Sequence, residues 1–387
     1  MAEIPHIAVI ADAARPYDRQ IIRGITQYIK QFANWSLYVE EDPLQRLPDL
    51  RAWRGQGIIA NFDDRKVAVA VRGVSLPTVG FGGGYGWYDP QSRIPYFATD
   101  NVAIAQLAAD HLIDLGFRSL AFYGYPRTRV NRWSEERAEA FRDRALEAGC
   151  RCSIHTGRYE TARRWSNLQN SLAAWLRTLP TPLGLMACND VRARHVLEAC
   201  RTIGAKVPDD VAVVGVDNDE MVCELADPPL TSVEQGTERI GYHAAKVLDQ
   251  MLRGEIPAQQ RYVIAPMGII PRRSTDTLAV ADPDVARAMQ FVRDHACLGI
   301  RISDVAKTVG SSRSSIERRF KLAVGRTVHA EIDRIRFERA RQLVANTDLP
   351  LKQITLMAGF KYTSYMTRLF CQRLGLPPAR YRKSCRH

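Results

Sequence analysis

A chain of 387 residues is too long for one ordinary hydrophobic core and implies two or three domains. Its 46% hydrophobic and 25% charged residues belong to a folded globular protein and exclude an intrinsically disordered one. The formal charge of +12 is unevenly placed: from Val285 to the C-terminus stand 21 basic and 7 acidic residues, net +14, against −2 for everything before.

An excess of that size in one segment suits a polyanion, whose phosphates it neutralises with release of counterions. The opening MAEIPHIAVIADAA has no basic segment followed by a long apolar one, so no signal peptide is expected. No later apolar run is long enough to span a membrane. These features point to a cytoplasmic chain with no membrane partner. The eight cysteines are dispersed, and the lone CxC of Cys150 and Cys152 has no neighbouring Cys or His pair to complete a zinc site. No metal and no cofactor are expected.

From the N-terminus, short β-branched runs alternate with amphipathic helical stretches. HIAVIA (6–11) predicts a buried strand, and 18–32 a helix with Ile21, Ile22, Ile25 and Ile29 on one face. Further strands are predicted at 36–39, 57–60, 78–80, 119–123, 184–187 and 211–216, with helices at 102–115, 134–148, 167–179 and 191–203. Strands separated by helices predict right-handed βαβ units and parallel sheets, hence an α/β fold of two Rossmann-like lobes. The first lobe is assigned about 1–99 and 234–271, the second about 100–233, which together form a sensing and dimerisation domain over 1–271. Ligands in such sheets bind beyond the carboxyl ends of the strands, here the cleft between lobes.

The glycine-rich GFGGGYG (80–86) matches neither GxGxxG nor a GK[ST] phosphate loop and predicts a turn needing positive φ. With no GxSxG, no HExxH and the eight histidines scattered, catalysis has little support.

The polar stretch 272–284 predicts a linker, and from 285 to 387 only helical patterns remain. ISDVAKTV (302–309) places Ile302, Val305, Ala306 and Val309 on one helical face; Gly310-Ser311-Ser312 makes a turn, and RSSIERRF (313–320) a second helix capped by Ser312. The pattern returns as LKQITLMA (351–358), Gly359-Phe360 and TSYMTRLFCQR (363–373). Helix, tight turn and basic helix, twice, is the helix-turn-helix arrangement of DNA-reading proteins. A helix over 327–346 between the copies can fix their spacing.

The stretch GFKYTSYMTRLFCQRLGLPPARYRK (359–383), with its GF turn, S-Y-x-x-R-x-F helix, G-x-x-P and closing Y-R, resembles the AraC/XylS family of transcription regulators. That resemblance covers about 285–383 and implies that each second helix enters a major groove of double-stranded DNA. Arg313, Ser314, Glu317 and Arg318 then belong to the first groove, and Thr363, Ser364, Thr367 and Arg368 to the second. Arginine pairs with guanine O6 and N7, and glutamate accepts from cytosine N4. Arg319, Lys321, Arg373 and Lys383 are expected at phosphates.

The remainder resembles the periplasmic-binding-protein-like core of LacI-type repressors. The matching residues are ATDN (98–101), HLIDLGFRSLAFYG (111–124), WSEERAEAF (133–141), CND (188–190), VGVDN (214–218) and TSVEQ (231–235). The resemblance assigns ligand contacts to Arg137, Asp190 and Asp217, with Gln235 at the hinge crossing. Loops at strand ends add Asp12, Arg15, Tyr17 and Tyr85, since sugar hydroxyls need bidentate partners and a pyranose face needs an aromatic plate. A LacI-type core on an AraC-type end, with RPYDRQ (15–20) and VEEDP (39–43), is similar to bacterial pentose-responsive regulators. The similarity implies a homodimeric activator that takes a small-molecule sugar, D-xylose favoured, and that contacts RNA polymerase. Another sugar, or repression, fits the same architecture; an enzyme with an AraC-type tail would need an activated cysteine cluster that the sequence lacks.

Overall fold

The computed structural model of the protein describes residues 4–39, 49–50, 52–84, 88–89, 91–128, 131–157, 165–277 and 282–384. Tyr85 and most of VEEDP lie outside the described residues. The chain divides into two compact units, Met1–Thr277 and Leu278–His387.

The first unit begins with β1 (His6–Ile10), α1 (Pro16–Phe32), β2 (Ser36–Val39), β3 (Gly57–Asn61), α2 (Arg65–Val71), β4 (Thr78–Gly82) and β5 (Tyr96–Thr99). The helix α1 starts two residues earlier than its apolar periodicity suggests, because Pro16 has its φ preset for a first helical turn. The chain then crosses into a second lobe: α3 (Asn101–Asp114), β6 (Ser119–Gly124), α4 (Arg132–Glu147), β7 (Arg151–Thr156), α5 (Trp165–Arg177), β8 (Leu183–Ala187), α6 (Asp190–Ile203), β9 (Val211–Val216), α7 (Glu220–Leu225) and β10 (Thr231–Glu234). It returns through α8 (Thr237–Leu252) and β11 (Arg261–Ile264), and crosses a third time to β12 (Gly268–Ile270).

The two six-stranded sheets run β11-β5-β4-β3-β1-β2 and β12-β10-β9-β8-β6-β7. Every pairing is parallel except β10 with β12. The inner strands are buried along their whole length, as strands covered by helices on both faces must be, and this is why they read as unbroken apolar runs. On one face of the first sheet Ile21, Ile25, Ile240, Ala244 and Leu248 of α1 and α8 close the core; on the other Val67, Ala68 and Val71 of α2 do.

Two boundaries differ from the sequence expectation. Residues 268–270, assigned to the first lobe, pair with β10 of the second, because an antiparallel edge strand completes that sheet. The expected linker opens with packed residues. Arg272 bonds to Glu224, the Leu230 carbonyl and Asn218, and Ser274 and Thr275 in a 3-10 turn are buried against β9 and β10.

The second unit is all-helical: α9 (Pro283–His295), a 3-10 turn (Ala296–Leu298), α10 (Ile302–Thr308), α11 (Arg313–Val324), α12 (Val328–Asn346), α13 (Leu351–Met357), α14 (Thr363–Leu374) and α15 (Pro378–Ser384). It has two small cores. Val285, Met289, Val292, Val305, Ile316, Phe320 and Val328 form one; Leu343, Val344, Ile354, Met366 and Phe370 form the other. The helix α12 serves both, with Ile332 in the first and Phe337 in the second.

Candidate functional site

A cavity of about 590 Å³ opens between the lobes of the first unit, at the carboxyl ends of the strands. Its lining comes from both sides. Lobe one supplies Arg15, Tyr17, Asp18, Asn61, Asp63 and Gly83; lobe two supplies Tyr125, Asn131, Trp133, Arg137, Asn189, Asp217 and Gln235.

Arg137 is the centre of the polar floor. It is 2% exposed and donates to Asn101 Oδ1 (2.9 Å), the Cys188 carbonyl (2.7 Å) and Gln235 Oε1 (2.8 Å), with its guanidinium 4.8 Å from the Trp133 ring. Gln235 in turn donates to Asp217. Burial lowers the pKa of Arg137 and raises that of Asp217, and each charge opposes the shift of the other. Asn101 also donates to the Gly83 carbonyl (2.7 Å), so the network ties the two lobes at the hinge.

The opposite wall carries two acids, Asp18 buried and Asp63 half-buried. Asp18 accepts from the Asp12 N–H (2.7 Å) and the Asn61 amide (2.9 Å), and burial pushes its carboxyl up to about 7. Asp63 accepts from the Gly83 N–H (2.7 Å) and is pushed by burial up to about 6. Tyr17 Oη and Asp63 Oδ1 are buried with no hydrogen-bond partner. Buried polar atoms are rarely left unpaired, and two on one cavity wall mark places for a ligand's hydroxyls.

The glycines of GFGGGYG make room for this wall. None of those described has positive φ, contrary to the sequence expectation of a turn. A Cβ on Gly84 would meet the Trp133 backbone nitrogen at 2.7 Å, and one on Gly82 the Asp63 carboxylate at 2.6 Å. Close approach, not turn conformation, is what these positions require.

Of the expected ligand residues, Arg15, Tyr17, Arg137, Asp217 and Gln235 line the cavity. Asp12 stands behind it: its carboxylate pairs with Arg15 (3.1 Å) and caps the Ala14 N–H (3.0 Å), so it shapes the loop. Asp190 lies beneath, where it accepts from Ser232 Oγ (2.6 Å) and the Asp219 N–H (2.9 Å) and supports the 217–219 turn. Asp217 (φ 117°) and Asn218 (φ 50°) hold left-handed backbone in that turn, a conformation such support must sustain. Its neighbour Asn189 lines the cavity instead. Sequence reasoning missed Asp18, Asn61, Asn131, Trp133 and Asn189; Trp133 opens the WSEERAEAF stretch and was the most accessible of these from the sequence. Asp64, also on the lining, caps α2 through the Lys66 and Val67 N–H groups.

In the helical unit α10–α11 and α13–α14 are the two helix-turn-helix pairs, and Ile316 and Phe320 recur as Met366 and Phe370. Arg313, Ser314, Arg318, Ser364 and Arg368 are exposed, whereas Glu317, Thr363 and Thr367 are half-buried. Glu317 pairs with Arg313 at 3.7 Å. Thr363 accepts from Thr355 (3.0 Å), which ties it to the preceding helix. Arg368 lies 4.9 Å from the Tyr365 ring, and Tyr365 donates to Asp333 of α12. Arg319, expected at phosphate, is instead engaged by Asp282 (2.7 Å) and Asp284 (2.9 Å) at the start of α9; its bond lowers the Asp282 carboxyl pKa, and Arg287 first and Arg319 second lower that of Asp284.

Fold and site together define a two-lobed ligand-sensing core of the periplasmic-binding-protein type joined to a tandem helix-turn-helix domain. Family models agree: an XylR N-terminal domain matches residues 6–102, a periplasmic binding protein-like domain 109–275, and a helix-turn-helix domain 305–384. The chain is 38% identical to the xylose operon regulatory protein of Escherichia coli strain K12, over 97% of this chain and 96% of that one. It is 35% identical to that of Haemophilus influenzae over 98% of both. A solved structure described as the xylose-binding transcription activator XylR matches with TM-score 0.65 at 38% identity over 99% of each chain. A lac repressor dimer bound to operator, 20% identical, matches 72% of this chain with TM-score 0.56 and shares the fold of the core. The chain belongs to the family of xylose operon regulatory proteins, and it is a DNA-binding transcription regulator rather than an enzyme.

Proposed function

We propose that the protein is a cytoplasmic, homodimeric activator of xylose-utilisation genes whose effector is D-xylose. The observation that carries this reading is the interlobe cavity. At about 590 Å³ it is of ordinary small-ligand size, and its lining alternates acids and amides with the Trp133 and Tyr17 rings. Carboxylates and amides that accept and donate in pairs match vicinal sugar hydroxyls, and an indole face matches the C–H face of a pyranose. The Tyr17 hydroxyl and Asp63 Oδ1, unpaired without ligand, gain partners when a hydroxyl arrives.

A sugar touching both lobes has differential affinity for their closed arrangement, and that difference is the free energy available to re-space the DNA-reading heads of a dimer beside RNA polymerase. The names of the relatives above support the choice of pentose.

Isothermal titration of the purified chain with D-xylose, L-arabinose, D-ribose and D-glucose tests this reading. Selective heat from xylose, with a xylose-dependent promoter footprint, is the expected result. Equal heat from all four sugars, or none from any, removes the xylose assignment.

A further inference from the structure

The two reading heads have matching turns. Gly310 N–H bonds to the Lys307 carbonyl (3.2 Å) and Ser311 N–H to Ala306 (3.0 Å); Gly359 and Phe360 repeat this with Leu356 (3.0 Å) and Thr355 (2.9 Å). Both glycines are left-handed, with φ of 67° and 78°. Their surroundings differ. A Cβ on Gly310 would meet nothing within 4 Å, whereas one on Gly359 would stand 2.6 Å from Cys297 Cα and 2.7 Å from its carbonyl carbon and oxygen. Turn conformation therefore explains Gly310 completely and Gly359 only in part.

Cys297 belongs to the 3-10 turn after α9, on the first head, while Gly359 belongs to the second. The same segment is gripped from the long helix. Arg336 donates to the Ala296 carbonyl (2.7 Å) and the Ile300 carbonyl (3.2 Å) from its place on α12 between Ile332 of the first core and Phe337 of the second. Residues 296–300 are thus held by α12 and by the second turn at once. The junction itself lines a cleft of about 650 Å³ between the heads, together with Arg301, Arg313, His329 and Lys361, and Tyr365 of α14 adds a bond to Asp333 of α12.

We infer that the Gly359–Cys297 contact, with the Arg336 clamp, fixes the separation and phase of the two reading helices, so that Gly359 determines the operator spacing the protein accepts. The inference rests on the DNA-reading assignment of the two heads. A backbone-to-backbone contact cannot yield as a flexible side chain does, so an added methyl must push the second head away from the first. Base-reading side chains stay where they are on their own helices; only their mutual register moves.

The test is in-vitro selection from a random duplex library, with and without D-xylose, using full-length wild type, Gly310→Ala and Gly359→Ala, followed by affinity measurements on the selected duplexes. Both variants carry the same φ penalty, so the difference between them isolates the contact. Wild type and Gly310→Ala are expected to select two submotifs at one sharp spacing. Gly359→Ala is expected to select the same submotifs at a shifted or broadened spacing, and to bind the wild-type duplex on the order of tenfold more weakly.

Unchanged and equally sharp spacing for Gly359→Ala overturns the inference. If Gly359→Ala does not fold, Arg336→Gln, which leaves the glycine in place, has the same expected broadening, and a sharp wild-type spacing there overturns it equally. Failure of the wild type to select any motif would instead sink the DNA-reading assignment.

Discussion

Replacing Arg137 with Met keeps most of the side-chain length and deletes the charge at the centre of the cavity floor. Three acceptors lose their donor: Asn101 Oδ1, the Cys188 carbonyl and Gln235 Oε1. The Asp217 carboxylate loses the cation that opposes its burial. Each buried polar group left unpaired costs ~1–3 kcal/mol, and removing one side of a buried charge pair ~3–5 kcal/mol. Water entering the adjoining cavity offsets part of the sum, so the expected loss is about 3–5 kcal/mol, or ~6–20 °C in Tm for a unit of this size. All six tryptophans precede residue 278, so tryptophan fluorescence during urea or thermal unfolding reports the sensing unit alone. Adding Asp217→Asn removes the stranded charge and should recover about 1–2 kcal/mol in a double-mutant cycle. A loss under ~1 kcal/mol for Arg137→Met, or no recovery in the double variant, would refute the view of Arg137 as the buried charge, linked to Asp217 through Gln235, that holds this floor.

Tyr17→Phe removes a hydroxyl that has no partner in the free protein, so stability should hold or rise slightly while xylose affinity falls by about 0.5–1.5 kcal/mol; a stability loss without an affinity loss would contradict this. Burial holds Asp18 at about 7 and Asp63 at about 6, above their unfolded values, so the contribution of these two acids to the stability of the ligand-free sensing unit is greatest below about pH 4 and is lost as pH rises from there to about 7, a decline that their Asn replacements should remove. Hydroxyl donation to the ionised acids reverses that trend for binding: xylose affinity should rise on the order of tenfold between about pH 5.5 and 8, with protons released on binding; a flat profile with no buffer-dependent heat counts against it. Arg368→Ala should weaken specific DNA binding by ~1–3 kcal/mol. Lys321→Ala should lower the salt slope by about one, and Arg319→Ala should leave that slope unchanged because Asp282 and Asp284 already hold the guanidinium.

Much of the architecture was legible because its signals are local. Inner strands such as β3 and β9 are short apolar runs that pack helices on both faces, and Gly310 and Gly359 close turns whose hydrogen bonds span a few residues. The segregated charge marked the DNA-binding end without any fold at all. The helix α8 was absent from the predicted elements, and β12 was assigned to the wrong lobe, since strand partnership across a hinge leaves no local trace.

The site divides in the same way. Arg137, Asp217 and Gln235 were found through motifs, and Arg15 and Tyr17 through their place after the first strand. Only the tertiary structure decided that Asp190 supports a turn while Asn189 faces the cavity, because one residue of helix phase separates the two. Likewise it decided that Gly84 yields to Trp133 and Gly359 to Cys297, contacts between segments far apart in the chain. Sequence by itself determined which residues could form a sensing core and two reading heads. Which of them meet was settled by packing, because close contact depends on the distances between elements that local pattern does not encode.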